Sequence, residues 1–309
     1  MGGLHHVTAI AGNASRNLDF YTRVLGMRLV KKTVNFDDPS TYHLYYGDEA
    51  GLPGSILTFF PWDSAAAGRA GIGSVQEVLL RVPTGSLSFW IHRFIELGVN
   101  HQLATRRFGE PFLAFTDPDG LALALVGSSG QAEPGWSNGA VPAEHAIQCL
   151  HGVGLLLAQA AATSEILVNI FNYKAAEQDG ALLRLTSNSG RGDIVDIREV
   201  GDFLAGRVGR GSVHHIAFVA KDDEQQARMA DRLRAEYGLH PAEQKDRLYF
   251  RSVYFQEPGG ILFEIATEQP GFGVDEPLDL LGSSLKLPPF LESRRSRIEA
   301  TLPLLGQAA

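Results

Sequence analysis

Four apolar, β-rich segments begin four comparable blocks of this chain: "LHHVTAI" from Leu4, "VQEVLLRV" from Val75, "LHGVGLLLA" from Leu150 and "VHHIAFVA" from Val213. Self-similarity of this kind constrains the fold more than any single motif does. Each block must be one supersecondary unit that buries its apolar face against the others. Each opener runs into a helical pattern. The first, "NASRNLDFYTRVLG", has Asn13 or Ser15 to cap its amino end and Gly26 to stop it. Its apolar residues Leu18, Tyr21, Val24 and Leu25 recur at helical spacing. The second helix ends at Gly98, the third covers roughly 160–171, and the fourth starts from Asp222 and stops at Gly238.

Short strands and turns follow each helix. "FLAFTDPDGLALALVG" (112–127) and "SVYFQEPGGILFEIAT" (252–267) share a strand, an acidic-Pro-x-Gly turn and a second strand. Each block therefore reads β-α-β-β-β, an α+β chain of four βαβββ modules. Taken in sequence order, the first two modules form an N-terminal domain over 1–130 and the last two a C-terminal domain over 148–268. The Gly-, Ser- and Pro-rich stretch 131–147 reads as the linker. Residues 269–309 form a tail with a short helix near Leu291–Leu302.

Two openers carry adjacent histidines, His5-His6 and His214-His215, and the strand "GGILFEIAT" carries a lone carboxylate, Glu264. Adjacent side chains of a regular strand point to opposite faces, so one histidine of each pair reaches a given point. His6 shares a face with Thr8 and Ile10, His215 with Ala217 and Val219, and Glu264 with Leu262 and Ala266. Both faces of that last strand are otherwise apolar. An ionised carboxylate buried there needs a base, hydrogen bonds or a metal. Two histidines and one carboxylate are the ligand set of a non-haem Fe(II) centre with open positions. The bland alternative is a set of ordinary core histidines and a Glu paired with an Arg. His151 opens the third block and competes as a ligand, whereas His43, His92, His101, His145 and His240 stand in contexts that read as structural.

The chain resembles the vicinal oxygen chelate superfamily, the glyoxalase/bleomycin-resistance/extradiol dioxygenase group. The resemblance rests on the paired blocks with "LHHVT…NLDFYTRVLGMRLVKKTVNFDDPSTYHLYYGD". The two "HH" openers with "RLYFRSVYF" and "ILFEIAT" resemble its hydroquinone 1,2-dioxygenase branch. The resemblance implies modules paired into two half-open, barrel-like domains. It implies Fe(2+), or Mn(2+) or another divalent metal, on His6, His215 and Glu264. It also implies polar residues around the bound ring at His5, Thr8, His214, Arg247 and Tyr254. The expected partners are a small aromatic substrate, a hydroquinone, and O2, in the breakdown of aromatic compounds. A catechol extradiol dioxygenase would instead draw a histidine from His151. A glyoxalase- or isomerase-type lyase would bring more carboxylate ligands, and a metal-free binding protein would have no use for paired histidines aimed at one Glu.

Composition excludes other classes. A net charge of -8 argues against nucleic acid or anionic membrane as a partner. No apolar run approaches the roughly 20 residues that span a bilayer. The amino terminus enters a strand pattern at once, without the basic and apolar stretches of a leader. The single cysteine, Cys149, leaves no intrachain disulfide. A cytoplasmic, reducing location is expected, and it suits a centre that must hold ferrous iron. Association with further copies of the chain is left open.

Overall fold

The computed structural model describes residues 2–129, 135–137 and 140–306. Module one comprises β1 (Leu4–Ala11), α1 (Ala14–Asp19, continued by a π-turn over Phe20–Val24), β2 (Arg28–Val34), β3 (Tyr42–Gly47) and β4 (Ile56–Pro61). Module two comprises β5 (Ser74–Pro83), α2 (Leu87–Leu97), β6 (Thr105–Arg107), β7 (Glu110–Thr116) and β8 (Ala122–Ser128). Module three comprises β9 (Cys149–Leu157), α3 (Ala161–Asn169), β10 (Lys174–Asp179), β11 (Leu182–Thr186) and β12 (Ile194–Glu199). Module four comprises β13 (Ser212–Ala220), α4 (Asp223–Tyr237), β14 (Lys245–Asp246), β15 (Arg251–Gln256) and β16 (Leu262–Thr267). The tail adds α5 (Pro289–Glu292) and α6 (Arg295–Thr301), where the sequence predicts one short helix. Of the expected linker, residues 131–134 and 138–139 lie outside the described residues.

The cap signals act locally as expected. Arg16 N donates to Asn13 Oδ1 at 2.9 Å, and Gln225 N to Asp222 Oδ1 at 2.8 Å. Gly98 and Gly238 end their helices at φ 67° and 64°, in the left-handed region that glycine enters without steric cost. α4 buries Gln226, Met229, Ala230 and Leu233, one stripe at helical spacing.

Two eight-stranded sheets result, ordered β14-β15-β16-β13-β1-β4-β3-β2 and β10-β11-β12-β9-β5-β8-β7-β6. The modules do not pair in sequence order. The first joins the fourth through antiparallel β1 and β13, and the second joins the third through β5 and β9. This corrects the grouping of modules one with two and three with four. All four openers carry an apolar β pattern, and that pattern alone does not say which two meet. Within the first sheet Val7, Ala9, Phe263 and Ile265 face the main apolar core, which α1 and α4 cover with Leu18, Tyr21 and Leu233. The opposite face carries Ala217, Ala266 and Tyr45, and the tail fills part of it with Phe272 and Leu281. Lys31, with no exposed surface, ties β2 to the tail by donating to Asp275 and Glu276 at 2.6 Å each.

Candidate metal centre

β1, β13 and β16 lie side by side, which sets the register of the three expected ligands. His6 and Glu264 both pair with Ala217, from either side of β13, and Thr8 pairs with His215. The ligand-type atoms of His6, His215 and Glu264 lie within 4.8 Å of one another, and all three residues are buried. The two Nε2 atoms are 3.3 Å apart. They lie 3.3 Å (His6) and 3.0 Å (His215) from Glu264 Oε2.

The ladder between β1 and β13 slips at Leu4/His6 and at Thr8/Ala9, so His5 and His214 each sit in a bulge. Strand parity would send them to the far face. The bulges swing them back so that His5 Nδ1 lies 2.9 Å from His6 Nδ1, and His214 Nδ1 lies 2.8 Å from His215 Nδ1. A metal on His6 Nε2 would put the His6 hydrogen on Nδ1, where His5 Nδ1 stands to accept it. Burial first, and then His6, push the His5 imidazole down to about 3. Burial and His215 push His214 down to about 4. Both are neutral at ordinary pH.

Three potential ligand atoms thus converge on one buried point. Neither ring is aligned to donate to the carboxylate, and both Glu264 oxygens are buried without a hydrogen bond. Burial works to raise the Glu264 pKa, yet His6 and His215 hold it well below the usual range. An ionised carboxylate buried here is costly unless a positive charge, a proton on one of the histidines or a metal cation, sits among the three groups. The donor set fits a divalent metal.

A cavity of about 310 Å³ opens onto this point, lined by His6, His215, His214, Arg247 and Tyr254 among others. Tyr254 pairs with Glu264 across β15 and β16. Burial, then Glu264, push its hydroxyl pKa up. The Arg247 guanidinium lies 5.6 Å over the Tyr254 ring and donates to Asp37 Oδ2 at 2.8 Å. Thr8 is fully buried beneath and shares a 2.9 Å hydrogen bond with Thr58 Oγ1. His5 borders a different cavity, of about 540 Å³, beside the tail. The expected residues thus gather, but His5 and Thr8 stand behind the ligands and do not line the main cavity.

His151 does not compete, because it lies on β9 in the other sheet. His43, read as structural, instead borders the main cavity. Its Nε2 lies 2.8 Å from Thr58 Oγ1 and its Nδ1 2.8 Å from the Tyr45 hydroxyl, and its ring packs 4.3 Å from Phe60. Phe36, Phe60, Trp62 and Phe250 complete an aromatic wall. A lone strand histidine gave little sequence signal. Its shared face with Tyr45 was the available clue.

The sequence pattern of the Glyoxalase/Bleomycin resistance protein/Dioxygenase superfamily matches residues 3–125. MhqE of Bacillus subtilis (strain 168), provisionally named a ring-cleaving dioxygenase, is 44% identical over 98% of this chain and 99% of its own. The chlorohydroquinone/hydroquinone 1,2-dioxygenase of Sphingobium indicum is 34% identical over 97% of this chain and 95% of its own. A crystal structure of a provisionally named dioxygenase from Bacillus subtilis subsp. subtilis str. 168 overlays with a TM-score of 0.93 at 41% identity, covering 98% of this chain and 97% of that one.

Proposed function

We propose that this chain, which belongs to the Glyoxalase/Bleomycin resistance protein/Dioxygenase superfamily, is a ring-cleaving dioxygenase that holds Fe(II) on His6, His215 and Glu264 and opens hydroquinones. The observation that supports this reading is the convergence of two imidazole nitrogens and a carboxylate without a hydrogen bond at the floor of an aromatic-walled cavity. Iron held by two imidazoles and one carboxylate supplies open positions for a phenolic oxygen and O2, and a path for electrons between them.

The chain's own groups do the rest. Phe60, Trp62, Phe250 and the face of His43 hold a flat ring by stacking and apolar contact. A hydroquinone presents one hydroxyl to the centre, and its other lies across the ring. Arg247 and Tyr254 are the polar groups available to hold a hydroxyl away from the ligands. The ligand role of His215 fixes the tautomer of His214. With His214 Nδ1 accepting from His215 Nδ1–H, the remaining hydrogen is on Nε2, and the ring borders the cavity. His214 thus offers a hydrogen to the substrate oxygen and not a lone pair. His5, outside this cavity, orients His6.

The test is oxygen uptake by anaerobically prepared, iron-loaded protein. Hydroquinones should be consumed faster than catechol. Tyr254→Phe and Arg247→Met should each lower hydroquinone turnover by the equivalent of about 1–3 kcal/mol, the usual cost of an unpaired buried polar group. Faster uptake with catechol, with both variants indifferent, would place the enzyme with the catechol-cleaving reactions. Turnover of a glyoxalase-type substrate without O2 would make it a lyase.

A further inference from the structure

The turn between β2 and β3 brings Asp37 to the wall of the main cavity. The turn is held from within. Asp37 N donates to Asn35 Oδ1 at 3.0 Å, Asp38 N to the Asn35 carbonyl at 3.1 Å, and Ser40 Oγ to Asp38 Oδ1 at 2.6 Å. Phe36 packs against Phe290 of α5, ring centroids 6.0 Å apart, and also lines the cavity.

Arg247 comes from module four, in the turn that joins β14 to β15. There Arg247 N donates to the Phe250 carbonyl at 3.0 Å, and Leu248 N donates to Asp246 Oδ1 at 2.7 Å. These bonds fix the backbone and leave the long side chain to be oriented by other groups. Asp37 Oδ2 does so at 2.8 Å from Arg247 Nη2, with the Tyr254 ring 5.6 Å below the guanidinium. The hydrogen bond from Arg247 holds the Asp37 carboxyl below its usual range, so it is ionised at ordinary pH. Away from the floor, Asp37 is the one acid among the described residues that line the cavity. Arg247 is the more enclosed of the two cations there, since Lys245, 3.8 Å from Asp37 Oδ1, is half exposed. An ion pair with one partner so exposed contributes little to folding.

We propose that Asp37 is a specificity-determining residue of the ring site: its carboxylate holds the Arg247 guanidinium in place and cancels its charge, so that the site favours a hydroxyl over a carboxylate at the far end of the ring. The proposal rests on the reading above, in which Arg247 holds the far hydroxyl. A guanidinium engaged by one carboxylate keeps donors to spare for a neutral hydroxyl. A carboxylate on the ring would meet Asp37 as a like charge and would have to displace it. Without Asp37, the guanidinium is free to close on such a group through two parallel bonds. Lys245, in contact with solvent, is screened and does not change that order.

Anaerobic calorimetry on the metal-loaded protein measures the binding of hydroquinone, 4-hydroxybenzoate and phenol without turnover. The three ligands share a phenolic oxygen and differ at the opposite ring position. Asp37→Asn should lower the preference for hydroquinone over 4-hydroxybenzoate roughly tenfold, with phenol binding and the melting temperature unchanged. On an Arg247→Met background the same substitution should leave the preference unchanged. A preference that Asp37→Asn does not alter, or alters by the same factor without the guanidinium, overturns the proposal. An equal change for all three ligands marks a structural role and overturns it too. Arg247→Met binding hydroquinone as the wild type does would overturn the reading of Arg247 and this proposal with it. Weaker hydroquinone binding in Arg247→Met, with the preference untouched in Asp37→Asn, would overturn this proposal and leave that reading standing.

Discussion

Glu264 and its two histidines form an arrangement that is unfavourable when empty and favourable around a cation. Glu264→Gln keeps the shape, removes the charge and provides an amide that can donate. Metal-stripped Glu264→Gln is therefore expected to melt above the metal-stripped wild type, by the equivalent of about 1–3 kcal/mol. The same variant should retain little iron and little turnover. Thermal melts and metal analysis of both proteins check this, and a lower melting point for the stripped variant would mean that the carboxylate is satisfied without metal. His5 and His214 separate at the same scale. His5→Leu leaves His6 Nδ1–H without its acceptor and should weaken metal binding about 10–100-fold, with little change in KM once the metal is saturating. The make-up of the His6, His215 and Glu264 cluster was readable from the chain, because few residue types bind metals and fewer are tolerated inside an apolar strand. The role of His43 was not readable, because it depends on Thr58 and Tyr45 approaching from other positions of the folded sheet.

The informative elements are the two bulged strands. A regular β1 and β13 would turn His5 and His214 away, whereas one extra residue in each brings their Nδ1 atoms within hydrogen-bond distance of His6 and His215. The adjacent "HH" motif is thus meaningful only on a bulge, which single-strand parity does not foresee. The tail is the second element with consequence. Lys31 is fully buried between Asp275 and Glu276, and Glu276 further accepts from Gly282 N and Ser284 N. Lys31→Met removes one partner of a buried pair and should cost about 3–5 kcal/mol. Urea unfolding reads this as a lower midpoint at an unchanged slope. A loss under about 1 kcal/mol would show that the tail holds without that contact.

At the scale of the whole molecule, the exchange of modules makes each sheet depend on both halves of the chain. β1 takes its antiparallel partner β13, and β5 its partner β9, from beyond the segment around residue 130. A fragment covering 1–130 should therefore not fold alone, and neither should 140–309. Co-expressed, the two should associate into one species with native circular dichroism. Size-exclusion chromatography of the separate and joint preparations checks this, and a folded, monomeric 1–130 would overturn it. The four repeats, their helix caps, the α+β class and the residue types of the buried cluster are properties of local sequence. Periodicity, cap chemistry and the cost of burying a charge act over a few residues. Which openers meet, where the ladder slips and which side chains wall the cavity are set by pairing between segments far apart in the chain. All four openers offer nearly the same apolar strand, so their pairing is chosen by the packing of the complete core. One clue to that pairing lay in the sequence. His6 and His215 can share an ion with Glu264 only if the first and fourth modules bring them within about 2 Å of one point, which favours the adjacency of those modules.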